Sequence, residues 1–347
     1  MSLRVAVIGV GSMGRNHVRV YRELPDVELV GVADLNLEAA EPVARRAGTQ
    51  AYVDYRRLLD EERPQAITIA TPTVHHLPIA LEAIQRGIHV LVEKPIASDT
   101  GQARHMIEAA ERAGVCLMVG HVERFNPALA ALKQRLAEGQ LGRLYQVDAR
   151  RQGPYPMRVK DVGVTVDLAV HELDIIRYLS QAEVTRVYAE VSSRVSSHEE
   201  MLSGLLRLSD DTVGTLTISW LTPTKIRELY MTGERGMFRL DYLTQDLYFY
   251  ENATAEGVAW ETLRVFRGVS EGQMIRYAVK KHEPLQAELE AFLAAVRGEA
   301  PAAVSGLDGL RALQLAQALL QSAREHQAIV PELDASASQG SHRHTPA

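Results

Sequence analysis

The chain reads as an α/β protein: an N-terminal doubly wound parallel sheet, followed by a C-terminal α+β domain with an open, mostly antiparallel sheet. Three observations predict this. The first 120 residues alternate short apolar, β-rich runs with stretches of 3.6-residue periodicity, the pattern of strand–helix–strand units. After His121 the alternation stops, and between about 184 and 251 one strand-like run follows another, as in antiparallel sheets. The length, 347 residues, suits about two domains, each with an ample core.

The expected buried strands of the first part are "RVAVIGV" (4–10), "VELVGVAD" (27–34), "AITIA" (66–70), "IHVLVE" (88–93) and "VCLMVG" (115–120), with a weaker one in "TQAYV" (49–53). Helical periodicity fills roughly 13–24, 36–47, 74–86 and 98–113. The second part opens with a helix over 126–139, then "LYQVDARRQG" and a helix beginning "VTVDLAVHELD" at Val164. Strands follow in "VTRVYAEVSS", "MLSGLLRLSD", "DTVGTLTISWL", "IRELYMTG", "GMFRLDY" and "DLYFYEN", and amphipathic helices over about 282–297 and 306–325. These elements divide the chain into residues 1–121, residues 122–330 and a small polar tail, 331–347, expected to be disordered. The sheet face left without helices needs a cover, and a second subunit is the simplest one, so a homodimer or homotetramer through the C-terminal sheet is expected.

Composition excludes several classes. The net charge is −6 and basic residues are not massed in runs, which argues against a nucleic-acid partner. No apolar stretch approaches the roughly 20 residues of a membrane helix, and the N-terminus enters a strand at once, leaving no room for a signal peptide. The lone cysteine, Cys116, excludes an internal disulfide, fits a cytoplasmic location and reads as a small core residue. No metal-ligand pattern stands out.

"VAVIGVGSMGRNHV" contains Gly9, Gly11 and Gly14, a G-x-G-x-x-G that ends an apolar strand and opens a helix. In that context Gly9 permits the tight turn, Gly11 lets the backbone approach a pyrophosphate, and Gly14 lets helix and strand pack closely. Ser12 and Met13 lie inside the same loop. The second strand ends in Asp34, twenty residues past Gly14, where an acid accepts the adenosine ribose hydroxyls. The first domain is therefore expected to be a Rossmann domain that binds NAD. NADP is disfavoured, because Leu35 and Asn36 offer no cation for a 2′-phosphate. Thr71 and Pro72, in "IATPTVHH", end another strand on the ligand edge, and His75 and His76 begin the next helix.

"VLVEKPIA" puts Glu93 and Lys94 at a further strand end. A cation there can favour a substrate alkoxide, or simply be a solvated lysine; the residues alone do not choose. Asp167 and His171 sit four apart on one face of an otherwise apolar helix. They read as cleft-lining groups or as a helix-start acid bonded to a core histidine. Asp174 reads as structural.

With these motifs in order, the chain resembles the glucose–fructose oxidoreductase, inositol dehydrogenase and MocA family, from about residue 3 to 325. The likeness rests on "GVGSMGRNH", "ATPTVHH", "EKP" and "DLAVHELD". It implies a sugar or polyol dehydrogenase using NAD or NADP, usually dimeric or tetrameric, with Lys94, Asp167 and His171 as catalytic residues. Lys94 and Glu93 then also border the cofactor. Histidine suits the proton step near neutrality, Asp167 would orient substrate or favour the imidazolium, and Lys94 would stabilise alkoxide charge. The family often has glycines before the aspartate; here only Gly163 remains, and a stiffer loop is expected. "GHVERFNPAL" and "ARRQGPYPMRVKDVG" resemble the branch that oxidises the 3-hydroxyl of UDP-N-acetylglucosamine-type nucleotide sugars. Arg150, Arg151, Arg158 and Lys160 are four cations within eleven residues, which suits a diphosphate, though a solvated basic loop reads equally well. His121, Arg124 and Asn126 are further candidates for substrate contact. Inositol, another polyol or a free aldose is the alternative substrate. A dinucleotide-binding sensor without turnover is the alternative of another class, disfavoured because it needs no Lys94, Asp167 and His171.

Overall fold

The computed structural model describes residues 2–156, 162–253 and 271–334. Six strands, β1 (Leu3–Ile8), β2 (Val27–Ala33), β3 (Gln50–Tyr52), β4 (Ala66–Ile69), β5 (His89–Glu93) and β6 (Leu117–Gly120), form one sheet. Its order is β3-β2-β1-β4-β5-β6 and every neighbouring pair is parallel. Strand order reverses between β1 and β4, so a crevice opens at their carboxyl ends, the usual ligand position in such sheets. The crossover helices are α1 (Ser12–Glu23), α2 (Leu37–Ala47), α3 (Tyr55–Glu62), α4 (His76–Gln85) and α5 (Thr100–Ala113). Local chemistry starts three of them: Asn36, Asp54 and Asp99 each accept a backbone N–H of the first turn. The expected strands and helices are present, but α3 was not anticipated. It is short and mostly charged, "YRRLLDEE", and only Leu58 and Leu59 mark its buried side.

The second unit holds α6 (Pro127–Ala137), β7 (Leu144–Gln152) and α7 (Val170–Ser180). The strands β8 (Val184–Ser192), β9 (Met201–Leu208), β10 (Val213–Ser219), β11 (Ile226–Gly233), β12 (Gly236–Asp241), β13 (Asp246–Asn252) and β14 (Glu271–Tyr277) follow. Two helices, α8 (Pro284–Val296) and α9 (Gly306–Glu325), complete the chain. The eight-stranded sheet has the order β14-β13-β12-β11-β7-β10-β9-β8 and is antiparallel except for the β7–β10 pair. Its apolar face carries α6, α7 and α9. On other positions Tyr145, Met201, Leu205 and Met274 are exposed. β14 had not been foreseen.

Three features depart from the sequence reading. The second unit is not one continuous stretch, because Leu285, Leu289, Phe292 and Leu293 of α8 join the core of the first sheet, and α9 contributes to both cores. The tail expected to be disordered from 331 is held through Asp334, whose carboxylate accepts from Arg104 and Gln314 and whose carbonyl accepts from Arg311; residues 335–347 lie outside the described residues. Finally, the helix expected from Val164 begins with a π turn, Thr165–Ala169, before α7. Such turns are commonly found at functional sites.

Candidate active site

The three glycines of the loop meet different surroundings. Gly9 has φ +90°, a conformation costly for a side chain. A Cβ on Gly14 would lie 1.8 Å from the Gly9 carbonyl oxygen, so only glycine lets α1 start that close to β1. A Cβ on Gly11 would meet nothing within 4 Å, which leaves that stretch of backbone open to the crevice. A cavity of ≈ 560 Å³ follows, lined by Gly9, Gly11, Asp34, Thr71, Pro72 and His75. Asp34 is fixed there: Val10 N–H donates to Oδ2 and Asn36 N–H to Oδ1, each at 2.9 Å. These features fit a dinucleotide, with open glycine backbone at the helix start and an immobilised acid at the end of β2.

Other expected cofactor residues fall differently. Ser12 is exposed at the start of α1, while Met13 packs against the core. Glu93 turns inward: Oε1 lies 2.8 Å from His17 Nε2, and Oε2 accepts the Lys94 N–H at 3.2 Å. A buried carboxylate is driven to such partners, so Glu93 supports the turn rather than reaching the cavity. Tyr55 and Arg56 of α3 also line the cavity and were missed. The Arg56 guanidinium lies over the Tyr55 ring and pairs with Glu82 at 2.6 Å.

The reactive edge is assembled from both units. Lys94 follows β5 directly and its Nζ donates to Asp167 Oδ1 at 2.7 Å and to the Asp167 carbonyl at 2.8 Å. The π turn that carries Asp167 is tied by Glu199: Val164 N–H donates to its carbonyl at 2.9 Å and Thr165 N–H to Oε1 at 3.2 Å. A Cβ on Gly163 would fall 2.1 Å from the Glu199 carboxylate, so the one glycine retained before Asp167 is the one this contact requires.

His171, one turn further, is buried and stacks edge-to-face with His121, ring centroids 6.1 Å apart. Among the described residues, His171 Nδ1 and both His121 nitrogens are buried without a hydrogen-bond partner, as is Thr71 Oγ1. Burial holds His171 well below its usual pKa, and the positive charges of Arg151, Lys94 and Arg227 push the same way. Burial also lowers His121, against the pull of Asp174. The imidazolium that Asp167 was expected to favour is thus opposed, and His171 stands neutral, able to accept a proton.

The expected substrate cations are mostly committed elsewhere. Arg151 is fully buried, with Nε on Glu172 Oε1 at 2.6 Å and Nη2 on Glu123 Oε1 at 2.9 Å. Arg124 forks onto Asp174, with Nε–Oδ2 at 2.7 Å, and also meets Asp308 at 3.1 Å. Asp174 is structural, as read. Asn126 caps α6 through Ala128 N–H and donates Nδ2 to the Tyr242 carbonyl at 3.1 Å. Arg150, on the opposite side of β7 from Arg151, pairs with Asp148 at 2.8 Å. A buried guanidinium must be paired, so Arg124 and Arg151 build the junction, and Asn126, bonded at both atoms of its amide, does the same. Arg158 and Lys160 lie outside the described residues. The cation that sequence reasoning missed is Arg227 of β11. Its side chain is 32% exposed, Nη1 lies 3.4 Å from Glu123 Oε1, and its charge is felt by His171. It pairs in register with Arg151, a relation that no local pattern reveals.

Known proteins match this arrangement. Residues 3–121 match the family described as "Oxidoreductase family, NAD-binding Rossmann fold", and residues 129–239 match "GFO/IDH/MocA C-terminal domain". The chain is 31% identical over 314 residues to UDP-N-acetylglucosamine 3-dehydrogenase of Acidithiobacillus ferrooxidans, covering 90% of this chain and 95% of that one. It is 28% identical over 334 residues to inositol 2-dehydrogenase of Rubrobacter xylanophilus, covering 93% and 91%. A solved structure of the Acidithiobacillus enzyme superposes with TM-score 0.81 at 29% identity, over 94% of this chain and 99% of that one. The fold, with its glycine loop, inter-unit lysine and buried histidine, and these matches make the chain a member of the GFO/IDH/MocA family of sugar-type oxidoreductases.

Proposed function

We propose that the protein is an NAD-dependent dehydrogenase for a sugar carried on a nucleotide diphosphate, acting on the 3-hydroxyl of a UDP-N-acetylhexosamine. The observation that carries the catalytic part is that Lys94 Nζ holds Asp167 at 2.7 Å while the Lys94 charge acts on His171, one turn beyond Asp167. A dinucleotide held at Gly9, Gly11 and Asp34 would supply the hydride acceptor. Lys94, held by Asp167, faces the substrate oxygen with a positive charge and stabilises it as the proton leaves. His171, neutral because it is buried, takes that proton on a ring nitrogen. His121 packs against the histidine and restricts its orientation. Asp34, anchored by two backbone N–H groups, selects NAD through the ribose hydroxyls.

The diphosphate part is supported by Arg227, a partly exposed cation coupled electrostatically to His171 and Asp167, by Arg158 and Lys160, which precede Asp167 in the sequence, and by similarity to the UDP-N-acetylglucosamine enzyme. The inositol dehydrogenases among the relatives favour a neutral polyol as the second reading. The decisive measurement is NADH formation with UDP-N-acetylglucosamine, free N-acetylglucosamine and myo-inositol, on the wild type, Arg227→Gln and Arg158→Glu. Two good charge-assisted contacts, each worth about 1.5–3 kcal/mol, predict a preference for the UDP-sugar of roughly 10²–10⁴. Both replacements are expected to erode it without weakening NAD binding. Equal use of inositol would leave the polyol reading standing.

A further inference from the structure

Beneath Lys94 lies a second group of ionisable side chains with no part in the steps above. His17 of α1, Glu93 of β5 and Glu288 of α8 are all buried, and one nitrogen or oxygen from each lies within 4.8 Å of the others. His17 Nε2 and Glu93 Oε1 are 2.8 Å apart, while both Glu288 oxygens and His17 Nδ1 have no hydrogen-bond partner among the described residues. Two carboxylates this close, shut away from water, do not both stay ionised. Glu93 is the one with compensation: His17, the Lys94 N–H at 3.2 Å and the Lys94 charge. Glu288 meets the opposite environment. The negative groups Glu93 and Glu123 act on it, and beside His17 a further ionisable neighbour, Tyr21 of α1, is a buried phenol. Burial and these anions hold the Glu288 carboxyl well above the usual range.

We infer that Glu288 is a positioning residue, a neutral carboxylic acid packed beside the buried His17–Glu93 pair, which keeps the Glu93–Lys94 turn against the first sheet. A proton is a better occupant than a metal ion. His17 and Glu93 already stand at hydrogen-bond distance, and a hydrated cation would have to lose its whole shell to enter. The device depends on the chain's return: α8 reaches the cluster because Leu285, Leu289, Phe292 and Leu293 seal it into the first core. Its kinetic consequence rests on Lys94 being catalytic, but the protonation state does not.

The test compares the full chain with Glu288→Gln, which keeps a neutral group of the same shape, and Glu288→Ala. Infrared difference spectra of wild type against Glu288→Gln at neutral pH should contain the C=O stretch of a protonated carboxylic acid. Hydrogen–deuterium exchange of the peptide containing Lys94 should rise about ten-fold in Glu288→Ala beyond any global change, and stay near wild type in Glu288→Gln. In turnover assays Glu288→Ala should lower kcat about ten-fold with the KM for NAD unchanged, and Glu288→Gln should restore most of it. Absence of the acid band, or a stoichiometric metal ion removed by chelator, overturns the neutral-acid assignment. Lower melting temperature in Glu288→Ala with unaltered local exchange overturns the positioning role, whether or not the sugar reading holds.

Discussion

Lys94 and Asp167 are 73 positions apart, yet the lysine ammonium donates to both the carboxylate and the carbonyl of that one residue, at 2.7 and 2.8 Å. The contact joins the carboxyl end of β5 to the π turn before α7, so the lysine proposed as catalytic is set only when the two units are docked. Lys94→Ala should reduce turnover by about 10²–10⁴. Asp167→Asn should also impair turnover, and the double replacement should cost little more than the worse single one, because the two act as a unit. Strictly additive losses, measured as NADH formation, would separate their roles.

If His171 is the base proposed, its protonation should set an acid limb. Burial and the surrounding cations lower its pKa, so the neutral form persists below 6.5, its ordinary value. The kcat/KM profile of the free enzyme should therefore hold as pH falls through 6.5 and decline only at lower pH. His171→Ala should lose roughly 10²–10⁴ in turnover while still binding dinucleotide. Near-normal turnover in that variant would remove the histidine from the mechanism.

In the proposed function Asp34 selects the coenzyme. A 2′-phosphate about 4 Å from its carboxylate would be repelled by roughly 4 kcal/mol at an effective dielectric of 20, less after rearrangement. A preference for NAD of about 10–10³ is expected, and Asp34→Ala should reduce it while raising the KM for NAD. Arg56 lines the same cavity, but Glu82 already engages its guanidinium. Equal efficiency with NAD and NADP in the wild type would refute the assignment.

Arg151 and Arg227 are paired across adjacent strands and should respond in opposite ways. Arg151→Met leaves the buried Glu172 and Glu123 without their main cation and should cost about 3–5 kcal/mol of stability in denaturant unfolding. Arg227→Gln, at a partly exposed position, should change stability little and discrimination between UDP-sugar and free sugar more. A stable Arg151→Met variant with altered substrate choice would reverse these roles.

Glu288 leaves a mark on stability against pH. Its folded pKa is raised above the unfolded 4.5, so its contribution is complete below that value and is drawn down as pH rises toward the folded pKa. Stability of Glu288→Gln relative to wild type should therefore improve from about pH 5 to pH 8, in urea titrations at each pH. A parallel pH dependence for the two proteins would mean that Glu288 ionises normally.

The sequence by itself determined the features that need only neighbours along the chain. Strand and helix periodicity, the glycine spacing and Asp34 follow from backbone geometry over a few residues, and the first sheet, most of the second and the cofactor cavity were legible from them. The short charged α3 and the strand β14 escaped because little apolar pattern marks them. Tertiary structure alone decided which side chains are available for chemistry. Arg124 and Arg151 look like substrate ligands in a row of residues, but docking of the units gives them Asp174, Glu172 and Glu123, and a guanidinium deprived of water takes such partners. Arg227 comes beside Arg151 through strand register, His121 meets His171 by packing, and Glu288 reaches His17 and Glu93 because α8 returns to the first core. Partner choice over such separations depends on burial and distance in three dimensions, quantities that a local pattern does not carry.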